Sequence, residues 1–90
     1  MTPTPVYAWS QHATHMGHLA RSEVRWEVFL EVLPDANDKH LKRGRVHFVT
    51  GERHRESAWI FLEYAERDVL ERFNEFSAIE LWSLLESLGP

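Results

Sequence analysis

Residues 23–33 read EVRWEVFLEVL, and the alternation in this stretch decides the fold class. Large apolar side chains recur at every second position, which is the period of a β-strand, because successive side chains of a strand point to opposite faces. One face of this strand carries Trp26, Val28 and Leu30, and the other carries Phe29 among charged residues. The stretch therefore predicts a strand in a sheet with a core on one face and an aromatic side chain on the other.

Two more strands are predicted downstream, at residues 45–50 and 57–64, because both stretches alternate in the same way. Segments rich in glycine and in charged or polar residues separate the three strands, and short polar connections join antiparallel neighbours. We therefore predict a three-stranded antiparallel meander. Its helix-covered face is expected to carry six side chains: Trp26, Val28, Leu30, Phe48, Ile60 and Leu62.

The period of the apolar residues changes from two to three or four after Tyr64, which indicates helices. Helices are predicted at about residues 66–76 and 78–88, and Ser77 with Glu80 matches a capping box at the start of the second one. Two helices can pack on one face of a sheet. The sequence thus predicts an α+β fold, with residues 23–90 as a single β-β-β-α-α domain.

Residues 1–22 are predicted as an N-terminal segment that is irregular or forms a short helix. Gly17, in the middle of the stretch that can form this helix, weakens the helical interpretation by roughly 1 kcal/mol relative to alanine. The segment supplies Tyr7 and Trp9, so we expect it to pack on the open sheet face or on a partner.

The composition of the 90 residues excludes several classes of site. Cysteine is absent, which excludes disulfides, cysteine nucleophiles and thiolate metal sites and suits a cytoplasmic protein. We find no secretory signal and no apolar run long enough to span a membrane, so no membrane partner is expected. Catalytic and cofactor motifs are also lacking, and we predict a protein that is not an enzyme and uses no cofactor.

The second sheet face is the predicted contact surface, because two helices cover only one face. Its anchors are expected to be Phe29, Val49, Trp59 and Phe61. Large exposed aromatic patches are unusual on monomers, so the N-terminal segment, a second copy or another protein should cover this one. The leading hypothesis is an interaction or regulatory module that self-associates as a homodimer through this face.

A basic stretch, residues 39–55, contrasts with an acidic chain of net charge −4. Its cations are Lys39, Lys42, Arg43, Arg45, Arg53 and Arg55. They are expected to steer the orientation of a partner, or alternatively to bind nucleic acid with Trp59 and Phe61 as stacking groups. The charges fall at the two ends of the second strand, about 20 Å apart, which favours two patches over one continuous phosphate-binding stripe.

A third hypothesis is metal binding, since His12, His15 and His18 follow one another at steps of three. A helix would rotate these side chains away from a common point, which leaves them as weak candidates for ligands. The His54-Arg55-Glu56 triplet resembles the H-x-E of zinc deaminases, but that chemistry needs two further cysteine-type ligands, and the chain has none. No metal site is therefore predicted from the sequence.

Overall fold

The computed structural model describes residues 7–89 of the chain. A short 3-10 helix is followed by five strands and two α-helices. Their bounds are Ala8–His12 for the 3-10 helix, Ala13–Arg21 for β1, Val24–Pro34 for β2, Lys42–Thr50 for β3, Arg53–Glu56 for β4, Phe61–Glu63 for β5, Glu66–Asn74 for α1 and Ala78–Ser87 for α2. This arrangement confirms the predicted α+β class, with an antiparallel meander followed by two helices.

The sheet is antiparallel, in the order β1-β2-β3-β4, and β5 also pairs with β3. β4 and β5 lie end to end along the same strand: β4 pairs with residues 47–50 of β3 and β5 pairs with residues 42–44. The pairs Val28↔Phe48 and Leu30↔Val46 place the buried residues of β2 and β3 directly opposite each other. We call the face that carries them the first face and the opposite one the second face.

The prediction for the N-terminal segment was wrong over residues 13–21, which form β1 along the edge of β2. The register shifts between His15 and Gly17, and Gly17 has a φ of 139°, a backbone angle that other residues rarely adopt. Pairing with the long β2 supplies hydrogen bonds that outweigh the weak local helix tendency. Residues 1–6 of this segment lie outside the described residues.

The predicted third strand, residues 57–64, is replaced by two short strands that stop and restart at residues 57–60. Ser57 causes the break. Its hydroxyl accepts a hydrogen bond from the Val46 N–H at 2.9 Å, and it donates to the Ala58 carbonyl at 2.7 Å. The side chain of Ser57 thus satisfies a backbone group that a continuing strand would otherwise pair.

The core lies between the first face and the two helices. Its buried apolar residues are Leu19, Trp26, Val28, Leu30, Val46, Phe48, Phe61, Val69, Phe73, Leu81 and Leu85. Gly44 lies on the first face, and α1 approaches it closely, since a Cβ built there would be 2.7 Å from Cγ1 of Val69. The helix can therefore sit against the sheet at this point because residue 44 has no side chain.

The break at residues 57–60 reverses the predicted faces of the segment that follows it. Phe61 pairs with Gly44 and lies in the core, whereas Ile60 and Leu62 are 42% and 55% exposed. The prediction that Ile60 and Leu62 face the helices and that Phe61 faces outward was wrong. A strict two-residue alternation from Ser57 cannot anticipate an irregular stretch that shifts the pairing.

Both helices occupy the predicted positions within one or two residues. Ser77 accepts a hydrogen bond from the Glu80 N–H at 3.2 Å, and the Glu80 carboxylate accepts one from the Ser77 N–H at 3.1 Å, so the predicted capping box is present. Across the described part of the chain, neither helix has the length and apolar content needed to cross a membrane.

We predict that Gly44→Ala destabilises the fold by about 1–3 kcal/mol, because the new methyl group overlaps Val69. The measurement is urea denaturation followed by circular dichroism. The matched variant is Gly44→Ala combined with Val69→Ala, which removes the overlapping methyl. The double variant should be more stable than the sum of the two single effects implies, and strict additivity would contradict this packing argument.

Candidate functional site

A two-residue turn, Gly51-Glu52, joins β3 to β4, because Thr50 pairs directly with Arg53. Gly51 has a φ of 53°, which glycine adopts without the steric cost of a Cβ. A turn of this length fixes the register of the hairpin, and register decides which side chains share a face.

Three side chains of metal-ligand type meet on the second face of this hairpin. His47 lies opposite Glu56, and His54 lies opposite Val49. The Nδ1 atom of His47 is 2.8 Å from Nε2 of His54 and 3.6 Å from Oε2 of Glu56. One donor atom from each of the three lies within 4.8 Å of the other two. We call this group the His47–His54–Glu56 site.

The buried carboxylate of Glu31 determines the protonation of the His47 ring. Oε1 of Glu31 accepts hydrogen bonds from Nε2 of His47 and from Nε of Arg45, both at 2.7 Å. A carboxylate can only accept when ionised, so Nε2 of His47 carries the proton. In a neutral ring Nδ1 then holds a lone pair, and it accepts from the Nε2–H of His54.

Burial and hydrogen bonding shift the pKa values of Glu31, His47 and His54. The directions of these shifts agree with an ionised Glu31 and two neutral imidazole rings. Burial of Glu31 by itself favours its neutral form, but the hydrogen bonds from Arg45 and His47 outweigh it and bring the pKa below its ordinary value. Burial lowers the pKa of His47 despite the opposing effect of Glu31. Burial also lowers the pKa of His54, against the attraction of Glu56. Both imidazoles are therefore neutral near pH 7, the form that binds metals.

The arrangement has the features of a partly formed metal centre. Zinc binds histidine nitrogens at about 2.0–2.1 Å and carboxylate oxygens at about 2.0–2.2 Å, so tetrahedral ligand atoms lie about 3.3–3.5 Å apart. The observed separations from His47 Nδ1, 2.8 and 3.6 Å, bracket that range. A ligating histidine typically donates its second N–H to a carboxylate, as His47 does to Glu31.

An indole ring from the N-terminal segment covers this site. Trp9 lies parallel to His47, with ring centroids 3.9 Å apart and an interplanar angle of 8°. It also stacks on His54 at 5.1 Å and meets the edge of Phe29 at 5.4 Å. Tyr7 stacks on Trp9 and lies 5.2 Å from His54. This half of the second face is thus covered within the same chain.

The histidines that the sequence singled out do not form this site. His12 ends the 3-10 helix and is exposed. His15 and His18 lie on β1, at the opposite edge of the sheet from β4. His15 is bonded to Glu27, with 2.8 Å between Nε2 and Oε1. Within residues 7–89, His12, His15 and His18 do not bring their donor atoms together as a triad.

Sequence reasoning missed the site because it placed residues 51–56 in a loop. The signal that would have found it is Gly51 at the first position of a two-residue turn. With that turn, Thr50 faces Arg53, and the alternation on both sides puts His47, His54 and Glu56 on one face. Each ligand candidate was visible, but their common face depended on the register of the hairpin.

The four predicted contact anchors are divided between the two faces. Phe29 and Val49 are half-buried on the second face, where Phe29 contacts Trp9. Trp59 is half-buried in the irregular stretch before β5. Phe61 is buried in the core and 7% exposed, so its predicted place on the second face was wrong. The role of the other three in binding a partner stays a prediction.

Two of the predicted basic residues are held by local contacts on the second face. The guanidinium groups of Arg43 and Arg45 lie 4.2 and 4.1 Å from the centre of the Trp59 ring. Arg45 is also paired with Glu31 and lies 3.6 Å from Glu56. Its charge is largely neutralised where it sits.

The other basic residues lie elsewhere, so the six cations do not make one surface. Arg53 and Arg55 lie 4.9 and 5.2 Å from the ring of Trp26, which belongs to the first face. Lys39 is in the exposed connection between β2 and β3, and Lys42 pairs across the ladder with Glu63. The cations are thus divided between the two faces of the sheet, and nucleic-acid binding stays an untested prediction.

An apolar row remains exposed at the other end of the sheet. Ile60, Leu62 and Tyr64 stand at alternate positions in and beside β5, and Tyr64 is 77% exposed. Ile60 and Leu62 border a groove of about 430 Å³ that Phe76 and Arg72 help to line. Ile60, Leu62 and Tyr64 are all exposed, so the row forms an apolar strip beside the sheet edge.

A comparison with protein-family models finds no match, and searches among curated proteins and among solved structures find no similar chain either.

We predict that Glu31→Gln lowers the free energy of unfolding by about 3 kcal/mol, because it leaves Arg45 and His47 without a buried anionic partner. The matched control is Glu27→Gln. Glu27 lies on the same face of β2 and also pairs with a histidine and an arginine, but its side chain is 32% exposed against 4% for Glu31. Its loss should cost about 0–1 kcal/mol, and equal effects in denaturation curves would contradict the argument.

Proposed function

We propose that this protein binds a divalent transition-metal ion through Nδ1 of His47, Nε2 of His54 and the carboxylate of Glu56. The observation that carries the proposal is the convergence of these three donor atoms within 4.8 Å. The hydrogen bond from His47 Nε2 to Glu31 adds to it, because it leaves the Nδ1 lone pair directed at the common point.

The ligand set favours zinc, nickel, copper or cobalt over magnesium and calcium. Imidazole nitrogens suit the first group, whereas magnesium and calcium prefer sites made of oxygen atoms alone. To accept an ion, His54 moves its ring proton from Nε2 to Nδ1 by exchange with water, which frees the Nε2 lone pair. His47 and His54 then replace their mutual hydrogen bond with two metal bonds, which requires their nitrogens to separate by about 0.5 Å. Three protein ligands leave one position of a tetrahedral ion for water or another ligand.

We propose a binding role and not an enzymatic one, and a cytoplasmic location. The complete lack of cysteine supports a reducing compartment. A ring stacked over the site supports a role in holding an ion, because it limits the approach of a substrate from that side.

The test is titration of chelator-treated protein with Zn²⁺ by calorimetry and with Co²⁺ by visible absorption. We expect one ion per chain in the wild type. His54→Ala and Glu56→Gln should each lower the affinity, His54→Ala by more than about 100-fold, because a lost ligand costs at least as much as a lost outer partner.

His15→Ala is the matched control, since His15 is an exposed histidine that also contacts a glutamate, and its affinity should equal that of the wild type. Glu56→Gln keeps the proposal testable if His54→Ala fails to fold, because Glu56 is exposed. Wild-type affinity in both site variants, or no binding by the wild type, would overturn the proposal.

We also propose self-association with a second copy of this chain through the row of Ile60, Leu62 and Tyr64. Exposed apolar residues at a sheet edge favour association. Leu62 pairs with Arg43 across the ladder, so the row runs along the outer strand of the sheet. A two-fold axis beside this strand would bring the row of each copy against that of the other.

We predict that Leu62→Asp converts a dimer into a monomer, as measured by light scattering after size exclusion at high micromolar concentration. The matched control is Ile79→Asp, which introduces the same charge at a residue of α2 that is 78% exposed and lies outside the row. That variant should remain dimeric. A wild-type protein that is monomeric throughout, or a dimeric Leu62→Asp, would contradict this interface.

A further inference from the structure

We infer that the N-terminal residues 7–12 act as a lid whose docking is coupled to metal occupancy of the His47–His54–Glu56 site. The inference rests on the proposed metal binding and concerns the regulation of that site. In this arrangement a bound ion strengthens the docking of Trp9, and docked Trp9 in turn raises the affinity for the ion.

The lid is held chiefly by aromatic stacking. Trp9 contacts His47, His54 and Phe29 through its ring, and Tyr7 adds a contact with His54. No residue of the 3-10 helix Ala8–His12 is fully buried. The hydrogen bonds of Ser10, from its N–H at 3.0 Å and its hydroxyl at 2.6 Å, go to the carbonyl of Tyr7 within the lid itself.

Trp9 also carries a polar atom that the docked state leaves unpaired. Its Nε1 is buried and has no hydrogen-bond partner among the described residues. A buried donor without a partner costs about 1–3 kcal/mol. This cost offsets part of the stabilisation from stacking, and segments held by few buried contacts open at low free energy.

A bound ion would shift this balance toward docking through electrostatics. The rings of His47 and His54 are nearly coplanar, at 12°, so an ion between their nitrogens lies in the plane that Trp9 covers. Coordination draws electron density from both imidazoles. The electron-rich indole face then stacks on more positive rings, which is the basis of cation–π attraction.

The reverse effect follows from linkage. If the ion favours the docked lid by a given factor, the docked lid favours the ion by the same factor. Docked Trp9 also keeps water away from one side of the two histidines, and electrostatic attraction is stronger where water is excluded. Typical couplings between two sites are about 5- to 150-fold.

The experiment measures both sides of this linkage. The Zn²⁺ affinity of Trp9→Ala should be at least about 5-fold weaker than that of the wild type. Trp9→Phe should recover part of the loss, because it retains an aromatic face. His12→Ala is the matched control in the same 3-10 helix, since His12 is exposed and the ring contacts of the lid come from Tyr7 and Trp9. The affinity of this variant should not change.

Hydrogen exchange of the backbone amides of residues 8–12, with and without Zn²⁺, supplies the second readout. Zinc should slow exchange in the wild type by the factor that Trp9→Ala loses in affinity. At a Zn²⁺ concentration that saturates the wild type but leaves Glu56→Gln unoccupied, it should have no such effect in Glu56→Gln. Zinc binding with unchanged exchange and unchanged Trp9→Ala affinity would overturn the lid while the proposed function stands. Faster exchange with zinc, or tighter binding by Trp9→Ala, would also overturn it. A wild type that binds no zinc would overturn both.

Discussion

The buried carboxylate of Glu31 is the constraint on which the second face depends. An ionised group without water needs strong hydrogen-bond donors, and a single oxygen of Glu31 accepts from both Arg45 and His47. This demand orients the His47 ring and decides which of its nitrogens is free. The free nitrogen faces His54. The orientation of the donor atoms in the hairpin is therefore set by a buried residue of β2.

The two faces of the sheet are packed in different ways. On the first face, apolar side chains and the missing side chain of Gly44 let α1 approach the strands. On the second face, a polar network lies under an aromatic cover that the N-terminal segment supplies. Trp59 belongs to the same face, where the guanidinium groups of Arg43 and Arg45 lie over its ring.

Periodicity alone predicted the elements in which apolar side chains recur at a constant spacing. β2 alternates in burial from Trp26 to Leu30, and α1 and α2 keep the helical period with a capping signal at Ser77, so their places were predicted closely. The predictions failed where tertiary contacts determine whether a strand forms or ends. β1 forms because its backbone pairs with that of β2, and the break at Ser57 depends on a side-chain hydrogen bond. The histidine site was hidden for the same reason, since its residues share a face only after the hairpin register is known.

The three ligand candidates all come from one local hairpin, residues 47–56, and not from distant parts of the chain. Closing so short a loop costs little entropy, so an unfolded chain can also chelate through the same side chains. An ion with affinity for both states stabilises the native state by less than its affinity for the folded protein implies. Under the proposed metal binding, such an ion would draw β3 and β4 together before the sheet and the helices assemble.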